Sequence, residues 1–126
     1  MASRKTLEED GHYIIVRGRE VYKFAVNQMV SLVRKAIETH PDIEFGMVVP
    51  HQVNMRIIES AREKLSLEPE DIAVNIEKYG NTSAGSVPIM LHEAKESGML
   101  DSKVGKLLVL CAFGAGLNWG YIALKW

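Results

Sequence analysis

The sequence predicts an α/β protein with a mixed five-stranded sheet and helices on its faces. Three observations carry this. Apolar runs of strand length alternate along the chain with segments of helical period. One run, "FGMVV" from Phe45 to Val49, is continuously apolar, as expected of a strand buried on both faces. The last two strands are joined by so short a connection that they are expected to run antiparallel.

Taken in order, "HYIIV" (residues 12–16) reads as a short strand stopped near Gly18. A strong helix follows. Tyr22, Ala25, Val26, Met29, Leu32, Val33, Ala36 and Ile37 fall on one face at spacings of three and four, and Pro41 marks the end. After the strand at Phe45, a second helix runs through "VNMRIIESAREKL". Val53, Ile57, Ala61 and Leu65 form its inner stripe, while Gln52, Arg56, Glu59, Glu63 and Lys64 are expected to face solvent. "SLEPED" is a turn, and "IAVNI" (residues 72–76) reads as the next strand. "KYGNTSAGSVP" is a loop entering a helix, with Ser83 or Ser86 as N-cap and Pro88 close to the helix start. Gly98 is a natural C-terminal stop. "KLLVLCA" (residues 106–112) is a strand, "FGAG" follows it, and "NWGYIALKW" closes the sheet.

The 126 residues suit one domain. Residues 1–10 read as a polar tail or vector-derived residues, and residues 11–126 as the domain. Hydrophobic residues make up 47% and charged residues 25%, which is ordinary globular material. A formal net charge of −1 argues against a nucleic-acid partner. The single cysteine, Cys111, excludes an internal disulfide and suits a reducing cytoplasm. No apolar run approaches the roughly 18 residues that span a bilayer, so no membrane partner is expected.

Ligands of open α/β sheets sit outside the carboxyl ends of strands. Three polar or glycine-rich clusters follow apolar strands here: His51 to Asn54, Gly80 to Ser83, and Phe113 to Gly116. Singly, each is an ordinary loop, cap or turn. Together they matter, because this topology can bring them to one rim. His12 and His40 lie at element ends and are expected to be solvated, and His92 sits on an exposed helix face. No residue spacing matches a zinc site, so no metal is expected. Cys111 lies within an apolar strand, where a core role is expected and an activated nucleophile is not.

These residues also carry a resemblance. "VPHQVNMRII", "YGNTSAGSVPI" and "AFGAGLNWG", in that order and supported by "EVYKFAV", resemble the C-terminal half of 3-oxoacyl-acyl-carrier-protein synthase III. The resemblance runs from about Gly11 to Trp126. It implies a thiolase-like half and a decarboxylating condensation of acyl-CoA with malonyl-carrier protein, without a cofactor. It implies that His51 and Asn81 are the histidine and asparagine of a Cys-His-Asn triad. They would donate hydrogen bonds to the malonyl thioester oxygen, and such donors are worth roughly 3–4 kcal/mol each at the barrier. It further implies that Phe113, Gly114, Ala115 and Gly116 bound the acyl pocket and oxyanion hole, and that Asn54 and Arg56 line the CoA or pantetheine path. Lys23, Arg56 and Lys64 would meet the acidic carrier protein.

The family's nucleophilic cysteine belongs to its N-terminal half, and nothing in this sequence matches it. The isolated chain is therefore expected to be inactive, to need that half as a partner, and to self-associate as a homo-oligomer through the face the half would cover. A non-catalytic CoA or carrier-protein binding module, part of a secondary-metabolite condensing enzyme, and a generic phosphate-binding module built on "GAG" stay open as alternatives.

Overall fold

The computed structural model describes residues 3–11, 13 and 17–126. Within the polar first ten residues lies a short exposed helix, α1 (Arg4–Glu8), capped by the Ser3 hydroxyl on the Thr6 N–H. Of the strand expected at residues 12–16, all but Tyr13 falls outside the described residues.

The helix read from its apolar period is α2 (Gly18–Thr39). Its 22 residues span about 33 Å and bury Ala25, Val26, Met29, Val30, Leu32, Val33 and Ala36. Tyr22 and Ile37, placed on the same stripe, lie at its margins and are each 36% exposed. The helix ends at His40, whose ring Nδ1 lies 2.8 Å from the Ala36 carbonyl. His40 thus caps a helix end and is half-buried, where simple solvation was expected.

Three strands form the sheet among the described residues: β1 (Phe45–Pro50), β2 (Leu107–Gly114) and β3 (Asn118–Lys125). Their order is β1-β2-β3, with β1 parallel to β2 and β2 antiparallel to β3. The sheet is mixed, as the connections predict; of the five expected strands three form among the described residues, and the one at residues 72–76 is reduced to a single bridge. At its start β1 slips register between Phe45 and Met47. Only glycine fits there, since a Cβ on Gly46 would lie 2.8 Å from the Lys106 Cβ.

Alternation along β1 and β2 divides the core. Val48, Leu107, Val109 and Cys111 pack toward α2, joined by Ile57, Ile58 and Ala61 of α3 (Met55–Leu65). Met47, Val49 and Leu108 pack on the other face with Met90 and Ala94 of α5 (Ser86–Glu96). Helices therefore cover both faces, and β1 is buried on both sides as its unbroken apolar run predicts.

The expected strand at residues 72–76 does not form. Ile72 makes one isolated parallel bridge to Val48, and the Ala73 N–H donates to the Val48 carbonyl at 2.9 Å. The next ladder bond would run from the N–H of residue 50 to the Ala73 carbonyl. Residue 50 is proline and has no N–H. The Gln52 side chain fills the gap. Its Nε2 donates to the carbonyls of Pro50 and Ala73, both at 3.0 Å, and its Oε1 accepts the Asn75 N–H at 3.0 Å. A carboxamide has replaced a strand peptide, the ladder ends, and the chain turns into the short helix α4 (Ile76–Tyr79). Gln52, expected at the surface, is only 1% exposed for this reason.

Gln52→Leu keeps the bulk and leaves three backbone groups without this partner. Unsatisfied buried groups cost about 1–3 kcal/mol each. Urea unfolding should show a loss of at least about 2 kcal/mol, against within about 0.5 kcal/mol for an exposed change such as Glu63→Ala. Equal small effects at both positions would contradict the assigned role of the carboxamide.

Candidate active site

His51 is the first residue beyond β1. Its N–H donates to the Cys111 carbonyl at 2.7 Å, which carries the β1–β2 ladder one residue past Pro50. The backbone is thereby fixed. The side chain is 9% exposed. Its Nδ1 lies 2.5 Å from the Ser86 hydroxyl, and its ring meets the Phe113 ring edge-on, with centroids 5.6 Å apart. Burial disfavours the imidazolium and lowers the His51 pKa below its ordinary 6.5. At neutral pH the ring is an uncharged donor and acceptor.

The sequence offers Ser83 or Ser86 as the cap of the next helix. α5 instead begins at Ser86 itself, its N-cap position is Gly85, and no side chain caps it. Ser83, the other candidate, opens a 3₁₀ turn (Ser83–Gly85). The Ser86 hydroxyl is withdrawn from capping because it serves His51 and also accepts the Gln52 N–H at 3.1 Å.

Asn81 sits in the loop between α4 and that turn. Gly80 precedes it at φ 67°, ψ −157°, a conformation open essentially to glycine alone. The Asn81 Oδ1 accepts the Ser83 N–H at 2.9 Å, closing a local turn. With its oxygen engaged, the exposed carboxamide offers its NH₂ group outward. Asn81 and His51 share no hydrogen bond; the five-residue step from Asn81 to Ser86 links them.

Glu93 on α5 secures that loop. Its carboxylate accepts from Asn75 Nδ2 at 2.6 Å and Tyr79 Oη at 2.8 Å, and pairs with Lys78. All three donors belong to α4 or its N-cap. The Lys78 ammonium, with Asn75 and Tyr79 adding donors, lowers the Glu93 pKa from 4.5 to about 2. The sequence offered no signal for Glu93 beyond its place beside His92, which is exposed as expected.

β2 ends at Gly114, which pairs with Asn118, and Ala115 to Leu117 form the turn into β3. Gly116 takes φ +76° and Asn118 Nδ2 donates to the Ala115 carbonyl at 3.0 Å. No helix follows "FGAG", so a phosphate site of the helix-dipole kind is not built here. Phe113, Gly114 and Ala112 border an apolar hollow of about 610 Å³ with Val87, Leu110, Trp119 and Ile122.

Among the described residues, no side-chain hydrogen bond joins the remaining candidates to His51. Asn54 is the N-cap of α3, its side chain accepting the Arg56 N–H at 2.9 Å. Asn54, Arg56, Lys23 and Lys64 are exposed, and Lys64 Nζ donates to Asn27 Oδ1 at 3.2 Å. Cys111 is 2% exposed, and burial pushes its thiol pKa up to about 12. It is a core residue, as read. Among the described residues, no three His, Cys, Asp or Glu side chains are grouped to hold a metal, and no helix is long and apolar enough to cross a membrane.

Two titrations should separate in stability. Between the lowered folded pKa of His51 and 6.5, the unfolded chain binds more protons. That contribution is complete above 6.5 and is lost as pH falls through the folded value. Glu93 contributes fully above 4.5, and its share is lost as pH falls toward about 2. Urea midpoints measured across this range should fall in two arms. His51→Gln should flatten the upper arm and Glu93→Gln the lower; a wild-type curve flat below neutrality would contradict the desolvated imidazole. Cys111 should resist maleimide in the folded chain and react in denaturant, whereas rapid labelling of folded protein would place the thiol at the surface.

Residues 34–126 match the sequence model of the 3-oxoacyl-[acyl-carrier-protein (ACP)] synthase III C-terminal region. The chain is 46% identical over 126 residues to beta-ketoacyl-[acyl-carrier-protein] synthase III 1 of Bacillus cereus, covering 97% of this chain and 39% of that protein. The crystal structure of 3-oxoacyl-(acyl carrier protein) synthase III from Pseudomonas aeruginosa superposes with a TM-score of 0.86 at 35% identity, covering 100% of this chain and 39% of that one. The priming β-ketosynthase of a polyketide biosynthetic pathway gives 0.79 at 29% identity, covering 98% and 38%. The chain thus spans about 39% of the length of the relatives it matches. Its fold is that of the thiolase-like synthases, and the chain belongs to the 3-oxoacyl-acyl-carrier-protein synthase III family through its C-terminal part.

Proposed function

We propose that this chain supplies the hydrogen-bond-donating half of a decarboxylating Claisen condensation. The overall reaction joins acyl-CoA and malonyl-carrier protein to give 3-oxoacyl-carrier protein, CoA and CO₂, and initiates fatty-acid synthesis without a cofactor. The observation that carries the reading is a buried, uncharged imidazole just beyond β1 together with a carboxamide in the loop after α4. Asn81 has its carboxamide oxygen engaged by Ser83, and His51 is buried with Nδ1 alone of its ring nitrogens engaged among the described residues.

The chemistry asks for such donors. When the malonyl group loses CO₂, the electron pair left on carbon delocalises onto the thioester oxygen. His51 and Asn81 stabilise that oxygen, and neither is acidic enough to quench the carbanion. The carbanion then attacks an acyl group held as a cysteine thioester. That cysteine comes from outside these residues, because Cys111 is buried and protonated. Backbone N–H groups of Gly114 to Gly116 serve the acyl oxyanion, and Phe113 bounds the pocket. Asn54 and Arg56 line the pantetheine path, while Lys23, Arg56 and Lys64 meet the acidic carrier protein through salt-sensitive contacts. The setting is cytoplasmic, the N-terminal half is the obligate partner, and the chain alone forms homo-oligomers.

Mixing the chain with a separately produced N-terminal half should restore malonyl-thioester decarboxylation, while the chain alone should show no condensation. His51→Ala and Asn81→Ala should each lower the restored rate by roughly 10²–10³. Activity unchanged by His51→Ala would remove that residue from the mechanism. The likeness to a polyketide-priming enzyme favours a second reading, priming of a secondary-metabolite chain. A steady preference for bulky over short acyl-CoA in the restored enzyme would support it.

A further inference from the structure

The Ser86 hydroxyl lies where two buried groups meet. Its side chain is 1% exposed, and its Oγ accepts the Gln52 N–H at 3.1 Å. Its second contact is His51 Nδ1 at 2.5 Å. A serine in the first turn of a helix ordinarily bonds to nearby backbone, but here both Ser86 Oγ partners come from residues 51 and 52. The direction of the short bond follows by accounting. With the Gln52 N–H entering the oxygen, the hydroxyl still carries one hydrogen to place. Among the described residues, His51 Nδ1 is the one acceptor the structure gives it. If Nδ1 carried the proton instead, the oxygen would accept two hydrogen bonds and its own hydrogen would be buried with no acceptor among the described residues, a cost that buried hydroxyls rarely carry.

We propose that Ser86 is a positioning residue: its O–H donates to Nδ1 of His51 and holds the ring as the tautomer protonated at Nε2. That tautomer presents an N–H, rather than a lone pair, at the nitrogen left free for a substrate oxygen. The backbone assists. The Gln52 N–H bond fixes the oxygen so that its hydrogen turns toward the ring. The consequence for catalysis rests on the proposed donor role of His51; the tautomer itself does not.

The test is the proton–nitrogen correlation spectrum of the ¹⁵N-histidine-labelled chain at about pH 8, where an unperturbed histidine is neutral. His51→Gln assigns the resonance. The expected wild-type pattern is a pyridine-type Nδ1 and a pyrrole-type Nε2. In Ser86→Ala the His51 Nδ1 signal should shift toward the average of the two tautomers, and Ser86→Thr should restore it. A pyrrole-type Nδ1 in the wild type, or a Ser86→Ala spectrum unchanged at His51, overturns the proposal. Should Ser86→Ala fail to fold, the wild-type and Ser86→Thr spectra decide. In the reconstituted enzyme Ser86→Ala should lower kcat for decarboxylation with little change in KM. If His51→Ala leaves decarboxylation intact, the donor reading fails while the tautomer stands or falls on its own spectrum.

Discussion

Pro50 has no N–H to give, and much of the site's architecture answers that one missing donor. In a regular parallel ladder the residue-50 amide would bind the Ala73 carbonyl and the sheet would gain a strand. Instead the Gln52 carboxamide enters between Pro50, Ala73 and Asn75 and serves all three. The strand edge closes there. The residue between proline and glutamine, His51, is left with its backbone tied to β2 through the Cys111 carbonyl. Its neighbour's N–H is tied to α5 through Ser86. Three consecutive residues thus fasten the strand end, the following connection and a helix to one another. A side chain placed among them has little freedom, which is what a directional donor needs.

The helix α5 is the common base of both proposed donors. Its first residue, Ser86, holds the His51 ring, and Glu93, two turns later, gathers Asn75, Lys78 and Tyr79. Those three residues fix α4, which delivers Gly80 and Asn81. Neither donor needs a bond to the other, because both are referenced to one rigid element. The left-handed Gly80 then re-aims the chain so that Asn81 spends its oxygen on its own loop. The polar groups α5 uses for this, a hydroxyl and a carboxylate, sit where a simple helix reading sees a cap and a solvated face.

What the sequence made legible was periodic. The 3.6-residue stripe of α2, the unbroken apolar run of β1 and the short β2–β3 connection each record burial that repeats along an element, and each element formed. The errors fall where a single side chain replaces backbone. Residues 72–76 have the apolar, β-branched look of a strand, but pairing depends on a partner's N–H, and the partner is a proline. The pattern within 72–76 cannot show this. The signal lay 22 residues earlier, in Pro50 followed by a carboxamide at position 52. Gln52 looked solvent-facing because helix periodicity was extended through it, although Asn54 caps the helix only afterwards. His51, Asn81 and Phe113 were legible as loop clusters at strand ends, and their grouping with the glycine turn came from the family resemblance rather than from period.

The two proposed donors differ in their surroundings. His51 is already dry: its ring is enclosed by Phe113 and Ser86 and its charged form is disfavoured. Asn81 is exposed, and the apolar hollow beside Phe113 opens over Trp119 and Ile122, which are 52% and 64% exposed. A hydrogen bond to developing negative charge is strong only where water is excluded; at 4 Å, a unit-charge pair gains about 1 kcal/mol in water and about 4 kcal/mol at an effective dielectric near 20. Half of the donor pair therefore reaches its working environment within this chain, and the other half needs a cover. In the proposed function, the N-terminal half would supply that cover and desolvate Asn81. On the proposed function, the two donors reach full strength together only once Asn81 is covered.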